Sequence, residues 1–348
     1  MEYVREQAPS PYFATKVFGL PVTPQERHDF DVVCLGETMG QFVPTDGRNV
    51  ETAEKFALHH AGAESNVAIG LARLGHRVAW VSRLGNDAVG KRIRSAIQRE
   101  DVETALVEMM DDRQTGIFLK DPVGSSRSVT YYRRDSAAST LDKTDIDRAL
   151  STNPRLIHLS GITPALSKSC DAAVGYAIDA ARTRSVTTSF DVNYRPSVWR
   201  DRSDAAARLL ELANASDIVF VGLDEAESLW GITSVEDVRS TLPAAVMLVV
   251  KDGPRRAIAF GEEGFASVPA LHVDVVESVG AGDAFAAGCL SGILQGHGPA
   301  VALRLGHLMA RAALTSLSDQ GEVLPPEALA LLEVDESLWL THEAAKSQ

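Results

Sequence analysis

The chain has 348 residues, of which 45% are hydrophobic and 23% charged, and its formal net charge is −13. This length is enough for one large α/β domain with a substantial core. The acidic balance argues against a nucleic-acid-binding protein, which usually presents a basic face. No apolar run approaches the roughly 20 residues that a membrane-spanning helix needs, so no membrane partner is expected.

The three cysteines, Cys34, Cys170 and Cys289, lie in or beside apolar stretches and show no C-x-x-C spacing. This favours reduced, buried thiols in a cytoplasmic protein over disulfides. Residues 1–28 contain prolines and scattered charges and lack the continuous apolar core of a signal peptide. They are predicted to form a loosely ordered N-terminal extension.

From residue 29 onward, short apolar runs alternate with amphipathic segments, which is typical of repeated β-α units around a mainly parallel sheet flanked by helices on both faces. Strands are predicted at Asp31–Leu35, Arg77–Val81, Leu156–Leu159, Thr187–Asp191, Ile218–Val221 and Val246–Val250. Helices are predicted at Ala63–Leu74, Val89–Glu100, Cys170–Thr183, Asp201–Ala215, Ala284–Gln295 and Ala300–Ser316.

Two segments interrupt this alternation, at residues 41–60 and 115–134. They are rich in aromatic and alternating residues, with turn signals at Thr45-Asp46-Gly47 and Asp121-Pro122-Val123-Gly124. They are predicted to be hairpins that project from the α/β body and together form a small β-sheet lid. The core would then comprise residues 29–40, 61–114 and 135–340.

The stretch SVGAGDAF, residues 278–285, places two glycines before an aspartate and an apolar run. Gly280 and Gly282 allow the backbone to approach a phosphate, and the first amides of the following helix form an anion site. Asp283 can be a catalytic carboxylate or an N-cap of that helix, and the stretch alone leaves both open. The dinucleotide fingerprint G-x-G-x-x-G fails because Phe285 stands at the third glycine, which disfavours a nicotinamide dehydrogenase.

Two separated signatures are more specific. SVGAGDAFAAG (278–288) resembles the C-terminal signature of the ribokinase-like (PfkB) carbohydrate kinases, and AGAESNVAIGLARLG (61–75) with VSRLGNDAVGKRI (81–93) resembles the N-terminal one. The resemblance implies a ribokinase-like fold and transfer of the γ-phosphoryl group of ATP to a sugar hydroxyl, with ATP and Mg²⁺ as cofactors. It also implies that Asp283 is the catalytic base and that the backbone of Gly280, Ala281 and Gly282 forms the anion hole with it.

Three further stretches, YYRRDSAAS (131–139), LSGITPALS (159–167) and DVNYRPSVW (191–199), resemble the 2-keto-3-deoxygluconate kinases of that family. The primary hydroxyl of this keto-sugar acid would be the acceptor, and Arg133 and Arg195 are suited to grip its carboxylate. Phe118 stands where such kinases place a tyrosine, and Asn66 would bond sugar hydroxyls or cap backbone. The implied sugar-site residues are Gly62, Asn66, Phe118, Tyr131, Arg133, Ile162, Arg195 and Asp283.

On the nucleotide side the resemblance implies Asn193, Glu225, Lys251, Gly253, Gly280 and Gly282, with Glu225 organising Mg²⁺ indirectly. Asn193 can face the phosphates or shape the strand-end loop. His307, on a late helix, is a further candidate for the adenine pocket, with core packing as the default. Two residues depart from the family pattern. Gly222 replaces the asparagine of an Asn-x-x-Glu segment, and Arg256 replaces the last glycine of K-x-G-x-x-G.

Several alternatives stay open within this resemblance. They are a kinase of a neutral sugar such as fructose or ribose, a kinase of 5-keto-2-deoxygluconate, and a non-catalytic sugar or nucleotide sensor on the same fold. The exposed strand edges of the predicted lid favour a homodimer formed through it.

Overall fold

The computed structural model describes residues 16–17, 20–21, 28–121, 129–262, 264–316, 321–335 and 337–339. Its strands are β1 Lys16–Val17, β2 Leu20–Pro21, β3 Val32–Leu35, β4 Met39–Pro44, β5 Phe56–Ala61, β6 Val78–Gly85, β7 Val102–Glu103, β8 Val107–Met110, β9 Ile117–Lys120, β10 Val129–Tyr132, β11 Leu156–Ser160, β12 Thr187–Asp191, β13 Ile218–Gly222, β14 Met247–Asp252, β15 Arg256–Gly261 and β16 Gly264–Pro269. Its helices are α1 Ala63–Arg73, α2 Ala88–Gln98, α3 Lys143–Leu150, α4 Lys168–Thr183, α5 Arg202–Ala215, α6 Leu223–Trp230, α7 Val235–Thr241, α8 Ala281–Leu294, α9 Pro299–Leu314 and α10 Pro326–Leu329.

The central sheet runs in the order β16-β15-β14-β13-β12-β11-β3-β6-β7, and β8 also pairs with β6. Every pair from β14 to β7 is parallel, whereas β14, β15 and β16 are joined antiparallel. The predicted mainly parallel sheet is therefore confirmed, and the antiparallel edge formed by residues 256–269 is an addition to it.

Helices cover both faces of this sheet, as predicted. Val33 and Leu35 of β3 belong to the apolar core shared with α4 and α5, while Val32 and Cys34 belong to the core shared with α1, α8 and α9. This alternation is the two-residue period of a strand that is buried on both sides. None of the helices in the described ranges combines the length and apolarity needed to span a bilayer.

A second sheet has the order β10-β9-β4-β5. Both predicted hairpins are present, β4 with β5 and β9 with β10, and the parallel pair β4–β9 joins them. The sheet begins at Met39, two residues before the predicted boundary, because Met39 already pairs with Ala61. Its action as a lid stays a prediction.

Several predicted features lie outside the described residues. They include most of the N-terminal extension, of which only β1 and β2 are described, and the turn at residues 122–124. The core predicted to end at residue 340 also includes undescribed positions at 263, 317–320, 336 and 340.

Two glycines on α8 allow this helix to pack closely against α9. A Cβ added to Gly288 would lie 2.5 Å from the carbonyl oxygen of Leu305, and one added to Gly292 would lie 2.7 Å from the Cα of Ala302. Both neighbours are backbone atoms that cannot move without shifting α9. The close packing therefore fixes the position of α8, whose first residues are the Ala281-Gly282-Asp283 of the glycine-rich stretch.

We predict that Gly288→Ala lowers the free energy of unfolding by about 1–3 kcal/mol through overpacking. The matched control is Gly175→Ala in α4, where the added methyl meets only the flexible end of Arg208 at 3.0 Å. The free energy of unfolding of this control should be unchanged or should rise by up to about 1 kcal/mol, because alanine has a higher helix propensity than glycine. Urea unfolding of both variants measures the difference, and equal stabilities would contradict the packing argument.

Candidate active site

The candidate site lies where the order of the parallel strands reverses. From β3 the chain proceeds to β6 on one side, and later returns to β11 on the other side. In open α/β sheets the ligand crevice is expected outside the carboxyl ends of the strands at such a point. Glu37 follows β3 and Ile162 follows β11, and both line a cavity of about 360 Å³ at this edge.

The cavity brings together all eight residues predicted for the sugar site. Its walls come from the second sheet, the start of α1, the loops after β11 and β12, and the start of α8. Gly280 and Gly282 of the glycine-rich stretch line it as well. The predicted sugar-site residues in its lining are Gly62, Asn66, Phe118, Tyr131, Arg133, Ile162, Arg195 and Asp283.

Asp283 is buried at the base of this cavity, between two asparagine side chains. Nδ2 of Asn66 donates to Oδ2 at 2.9 Å, and Nδ2 of Asn193 donates to Oδ1 at 3.3 Å. Burial raises the pKa of Asp283 to about 6, although the hydrogen bond from Asn66 opposes the rise. A carboxyl with this pKa is mostly ionised at neutral pH and still able to accept a proton.

The start of α8 differs from the predicted one. The helix begins at Ala281, and its N-cap is Gly280, whose φ of 83° falls in the left-handed region that glycine tolerates. Asp283 therefore lies in the first helical turn. The predicted helix start at Ala284 is wrong, and of the two roles left open for Asp283 the N-cap is taken by Gly280. The amides of residues 281–283 precede the first helical hydrogen bond, from Ala284 N to Gly280 O at 2.8 Å.

The amides of Ala281, Gly282 and Asp283 belong to this first turn, where backbone donors lack helical acceptors and the helix dipole is positive. Ala281 N makes only a long contact of 3.4 Å, to the carbonyl oxygen of Ser278. A Cβ built on Gly282 would lie 3.6 Å from Nζ of Lys251, which places an ammonium beside the loop. The loop is therefore suited to bind an anion such as a phosphoryl group.

A second polar group lies beside Asp283 at the ends of β12 and β14. The Asp191 carboxylate accepts hydrogen bonds from Nζ of Lys251, at 2.9 and 3.2 Å, and from Asn193 N at 3.1 Å. Asn193 has a φ of 38°, an uncommon backbone conformation for a residue with a side chain. Its Oδ1 is buried without a hydrogen-bond partner.

Glu225 supports the loop that carries Asn193 and Arg195. Its Oε1 accepts from Tyr194 N at 2.9 Å, and its Oε2 accepts from Gly222 N at 2.7 Å at the start of α6. Burial raises the pKa of Glu225 above its usual range. Glu225 therefore contacts the loop that carries two predicted site residues, and does so despite the Gly222 substitution.

The two predicted arginines have different surroundings. Nε of Arg133 donates to Oε2 of Glu37 at 2.8 Å, Nη2 also pairs with this carboxylate, and the guanidinium lies 5.7 Å from the Tyr131 ring centre. Arg195 is 51% exposed, with Nη1 3.1 Å from Tyr194 O and 3.6 Å from Oε1 of Glu225. Arg133 is thus held in place by a buried partner, while Arg195 is open to a ligand.

Of the seven predicted nucleotide residues, Gly280 and Gly282 line this cavity, and Asn193, Glu225 and Lys251 lie beside it without lining it. The other two, Gly253 and His307, lie elsewhere. Gly253 lies in the exposed turn between β14 and β15, with a φ of 53°. His307 is buried, its Nε2 lies 3.1 Å from Val268 O, and its ring meets the Phe285 ring edge-on at 5.2 Å. Burial lowers the pKa of His307 to about 4, as expected for a neutral core histidine.

Three acidic residues of the site were not predicted. Glu37 and Asp191 are described above, and Glu64 lines the cavity with its Oε1 accepting from Ser160 at 2.7 Å and Thr163 at 2.9 Å. Burial raises the pKa of Glu64 to about 7. Their positions in the sequence could have indicated these three residues. Glu37 and Asp191 lie at the carboxyl ends of strands, and Glu64 lies in the first turn of α1.

Among the described residues, no group of three or more histidine, cysteine, aspartate or glutamate side chains could hold a metal ion. Asp191 and Glu225 nevertheless lie near the glycine-rich loop. Both carboxylates interact electrostatically with Lys251, whose ammonium lies beside Gly282 of that loop. One or two carboxylates of this kind suit Mg²⁺, which keeps several waters and binds mainly through substrate phosphates. The residues present therefore fit an ion carried by a nucleotide.

Comparison with known proteins finds sugar kinases among the relatives of this chain. The model of the pfkB family carbohydrate kinases matches residues 29–325. The chain is 37% identical over 273 residues to 2-dehydro-3-deoxygluconokinase from Bacillus subtilis, covering 76% of this chain and 84% of that protein. It is 30% identical to fructokinase-1 from Oryza sativa, and the match covers 76% of this chain and 83% of that protein. The crystal structure of a PfkB protein from Polaromonas sp. JS666 has a TM-score of 0.78 at 35% identity, covering 83% of this chain and 97% of that one.

We predict that Asp283→Asn stabilises the protein at pH 8 but not at pH 4. The pKa of Asp283 is raised from 3.8 to about 6, so the folded state binds this proton more tightly than the unfolded state. Stability contributed by the neutral carboxyl is therefore lost as pH rises from about 4 to about 6, by at most about 3 kcal/mol. Reversal of the Asn193 amide lets its unpaired oxygen accept from the new carboxamide.

Melting temperatures of the variant and the wild type at both pH values measure this effect. Asp274→Asn is the control, since Asp274 is exposed on the same segment. The Asp283 charge also raises the pKa of Glu64, so its removal in Asp283→Asn adds a smaller change in the titration of Glu64 to the difference. A gain for Asp283→Asn that is as large at pH 4 as at pH 8 would contradict a buried, ionised carboxylate.

Proposed function

The chain belongs to the pfkB family of carbohydrate kinases, and we propose that its substrate is 2-keto-3-deoxygluconate, also called 2-dehydro-3-deoxygluconate, or a similar keto-sugar acid. It is a sugar kinase that uses ATP. The observation that carries the proposal is one cavity that holds Asp283, the glycine-rich loop and the guanidinium groups of Arg133 and Arg195. Asp283 can accept the proton of a sugar hydroxyl, the loop can bind a phosphoryl group, and the guanidinium groups can bind a carboxylate.

Asp283 is proposed to act as the general base on the primary hydroxyl of the sugar acid. Its carboxylate accepts the hydroxyl proton as the sugar oxygen bonds to the γ-phosphorus, and the bond from that phosphorus to the β,γ-bridging oxygen breaks to release ADP. Asn66 and Asn193 hold the carboxylate in place. Burial supports this role because it raises the pKa to about 6, which makes the ionised carboxylate a better proton acceptor than an exposed one.

Backbone amides are proposed to stabilise the charge that develops on the transferring group. The first turn of α8 presents the amides of residues 281–283, and the ammonium of Lys251 lies beside Gly282. Such fixed donors act without reorganising during the reaction. Mg²⁺ bound to the phosphates would neutralise part of their charge, and Asp191 and Glu225 are the carboxylates proposed to orient its waters.

The two arginines are proposed to bind the substrate carboxylate in unequal ways. The charge of Arg133 is largely matched by Glu37, so this residue contributes direction and hydrogen bonds. Arg195 lies further from its nearest carboxylate, at 3.6 Å, and supplies the larger share of uncompensated positive charge. The similarity to a 2-dehydro-3-deoxygluconokinase supports an acidic substrate.

The second candidate function is a kinase of a neutral sugar. The pairing of Arg133 with Glu37 favours it, because only one guanidinium is then left to attract an acid. The 30% identity to a fructokinase is consistent with this alternative. Comparison of acidic and neutral substrates on one enzyme preparation separates the two.

A homodimer formed through the second sheet is also proposed, in the cytoplasm. Phe56 and Tyr132 of this sheet are 38% and 58% exposed, and β10 and β5 lie at its edges. Exposed aromatic groups and open edges are features that a second copy can cover.

We predict that Asp283→Asn lowers kcat by at least about 100-fold, since general-base catalysis contributes about that much. In the wild type, kcat/KM should fall below about pH 6, where the carboxylate becomes protonated. Coupled ADP release measures both, with Asp274→Asn as the control. Near-normal turnover by the Asp283 variant, checked for folding by its melting temperature, would rule out this base.

We predict that Arg195→Ala raises KM for 2-keto-3-deoxygluconate at least about tenfold, because a charge-assisted hydrogen bond is lost. The KM of Arg195→Lys for the same acid should lie between those of the wild type and Arg195→Ala. KM for fructose, if fructose is phosphorylated at all, should change little, since it has no carboxylate. Equal losses for the acid and the neutral sugar would contradict carboxylate recognition and favour the second candidate.

A further inference from the structure

An ion pair joins the second sheet to the glycine-rich loop. Nζ of Lys120, the last residue of β9, lies 2.5 Å from Oε2 of Glu277, which directly precedes the SVGAGD stretch. Both side chains are only 11% exposed. Salt screens such a sheltered pair much less than a surface pair, and removing one partner leaves the other charge uncompensated. This Lys120–Glu277 pair is called the sheet–loop clasp below.

On the sheet side, the clasp continues the wall of the sugar cavity. Phe118 and Lys120 are two residues apart on β9 and are both buried, whereas Ile117 and Leu119 are partly exposed. Alternate residues of a strand share one face, so Lys120 lies on the face that presents Phe118 to the cavity. The position of this face therefore determines whether Lys120 reaches Glu277.

On the loop side, the same carboxylate orders the chain that leads to the anion site. Oε1 of Glu277 accepts hydrogen bonds from Ser278 N at 2.9 Å and Val279 N at 3.1 Å. Val276 N donates to Leu314 O at 2.8 Å, which ties the preceding residue to the end of α9. One carboxylate oxygen thus faces the second sheet and the other holds the two residues before Gly280.

Glu277 is ionised in this arrangement. Burial alone would raise the pKa of Glu277, but the hydrogen bonds from Lys120 and from the two amides outweigh burial and lower it. The full charge of the carboxylate is therefore present at neutral pH, and the clasp is an ion pair and not a neutral hydrogen bond.

We propose that Lys120 and Glu277 are positioning residues for phosphoryl transfer, and that the clasp couples the sugar-binding face of the second sheet to the geometry of the anion loop. The proposal rests on the kinase function proposed above. Phe118 and Tyr131 contact the sugar side of the cavity, while Ser278 and Val279 lead into the amides that would receive the phosphoryl group. A displacement of either part by about 1 Å is enough to slow such a reaction strongly.

The test compares three lysine variants in the intact protein. Lys120→Met keeps the unbranched side chain up to the ε position and removes the charged amino group. Lys120→Arg restores a cation, and Lys55→Met removes an exposed lysine next to β5 of the same sheet as a control. The measurements are kcat and KM for 2-keto-3-deoxygluconate and ATP, and hydrogen exchange of the Ser278 and Val279 amides without ligands.

We predict that Lys120→Met lowers kcat about tenfold or more and speeds exchange at Ser278 and Val279. Lys120→Arg should recover most of the kcat and most of the slow exchange at Ser278 and Val279. Lys55→Met should match the wild type in kcat and in exchange. In a double-mutant cycle, adding Glu277→Gln to Lys120→Met should change kcat little further, because the two residues act as one unit.

The outcomes separate this proposal from the kinase proposal. If the wild type phosphorylates the sugar acid and Lys120→Met has normal kcat and normal exchange, the clasp has no positioning role and the kinase function stands. Additive effects of the two substitutions would equally overturn the coupling. If the wild type phosphorylates no sugar on a panel, the kinase proposal fails, while the exchange measurements still show whether the clasp orders the loop.

Discussion

The burial of the Asp283 carboxylate is the constraint on which the rest of the site depends. A buried carboxylate is unfavourable unless fixed donors replace water. Its two oxygens are held by Asn66, 217 residues earlier in the chain, and Asn193, 90 residues earlier. Only a fold that brings α1, the end of β12 and the start of α8 to one place can supply them. The parallel sheet does so because the carboxyl ends of its strands share one edge.

Charge balance explains why an acidic cavity can serve anionic substrates. Four further acids lie in the cavity lining or beside it, namely Glu37, Glu64, Asp191 and Glu225, and the negative charge of each is offset in its own way. Glu37 pairs with Arg133 and Asp191 with Lys251, while Glu225 accepts backbone amides. Burial raises the pKa of Glu64 to about 7, so it is partly neutral. The acids thus hold the cations in position and leave the exposed Arg195 and the α8 amides to attract the ligand.

The parts of the site that could be predicted from sequence are those written in short local motifs. The family resemblance carried by the glycine-rich stretch, the start of α1 and the stretches at 131–139, 159–167 and 191–199 implied eight sugar-site residues, and all eight line the cavity. Glu37 and Glu64, which line the same cavity, were not predicted. The antiparallel β15–β16 edge was not foreseen; its two six-residue strands pair with β14 and with each other, outside the β-α alternation on which the prediction relied. The first turn of α8 was assigned to the loop, because glycines usually argue against a helix.

Contacts between distant segments could not be predicted. Nothing near Arg133 in the sequence indicates Glu37, its partner 96 residues earlier. The period of α9 identifies a buried face, but it does not say whether His307 on that face meets a ligand or the ring of Phe285. For the same reason Lys120 and Glu277 appear as ordinary surface charges in sequence. Their pairing exists only because the register of β9 turns Lys120 inward beside Phe118.

These two ion pairs also explain how a small sheet with little core of its own keeps a defined position. Met39, Ala61 and Phe118 form its only apolar cluster among the described residues, with Val129 packed against it. So few apolar contacts hold a sheet weakly, because the entropy lost on ordering it must be offset elsewhere. Arg133–Glu37 ties the sheet to the end of β3, and Lys120–Glu277 ties it to the loop before α8. A sheet held at both points presents Phe118 and Tyr131 in place before a sugar binds, which reduces the entropy that binding must overcome.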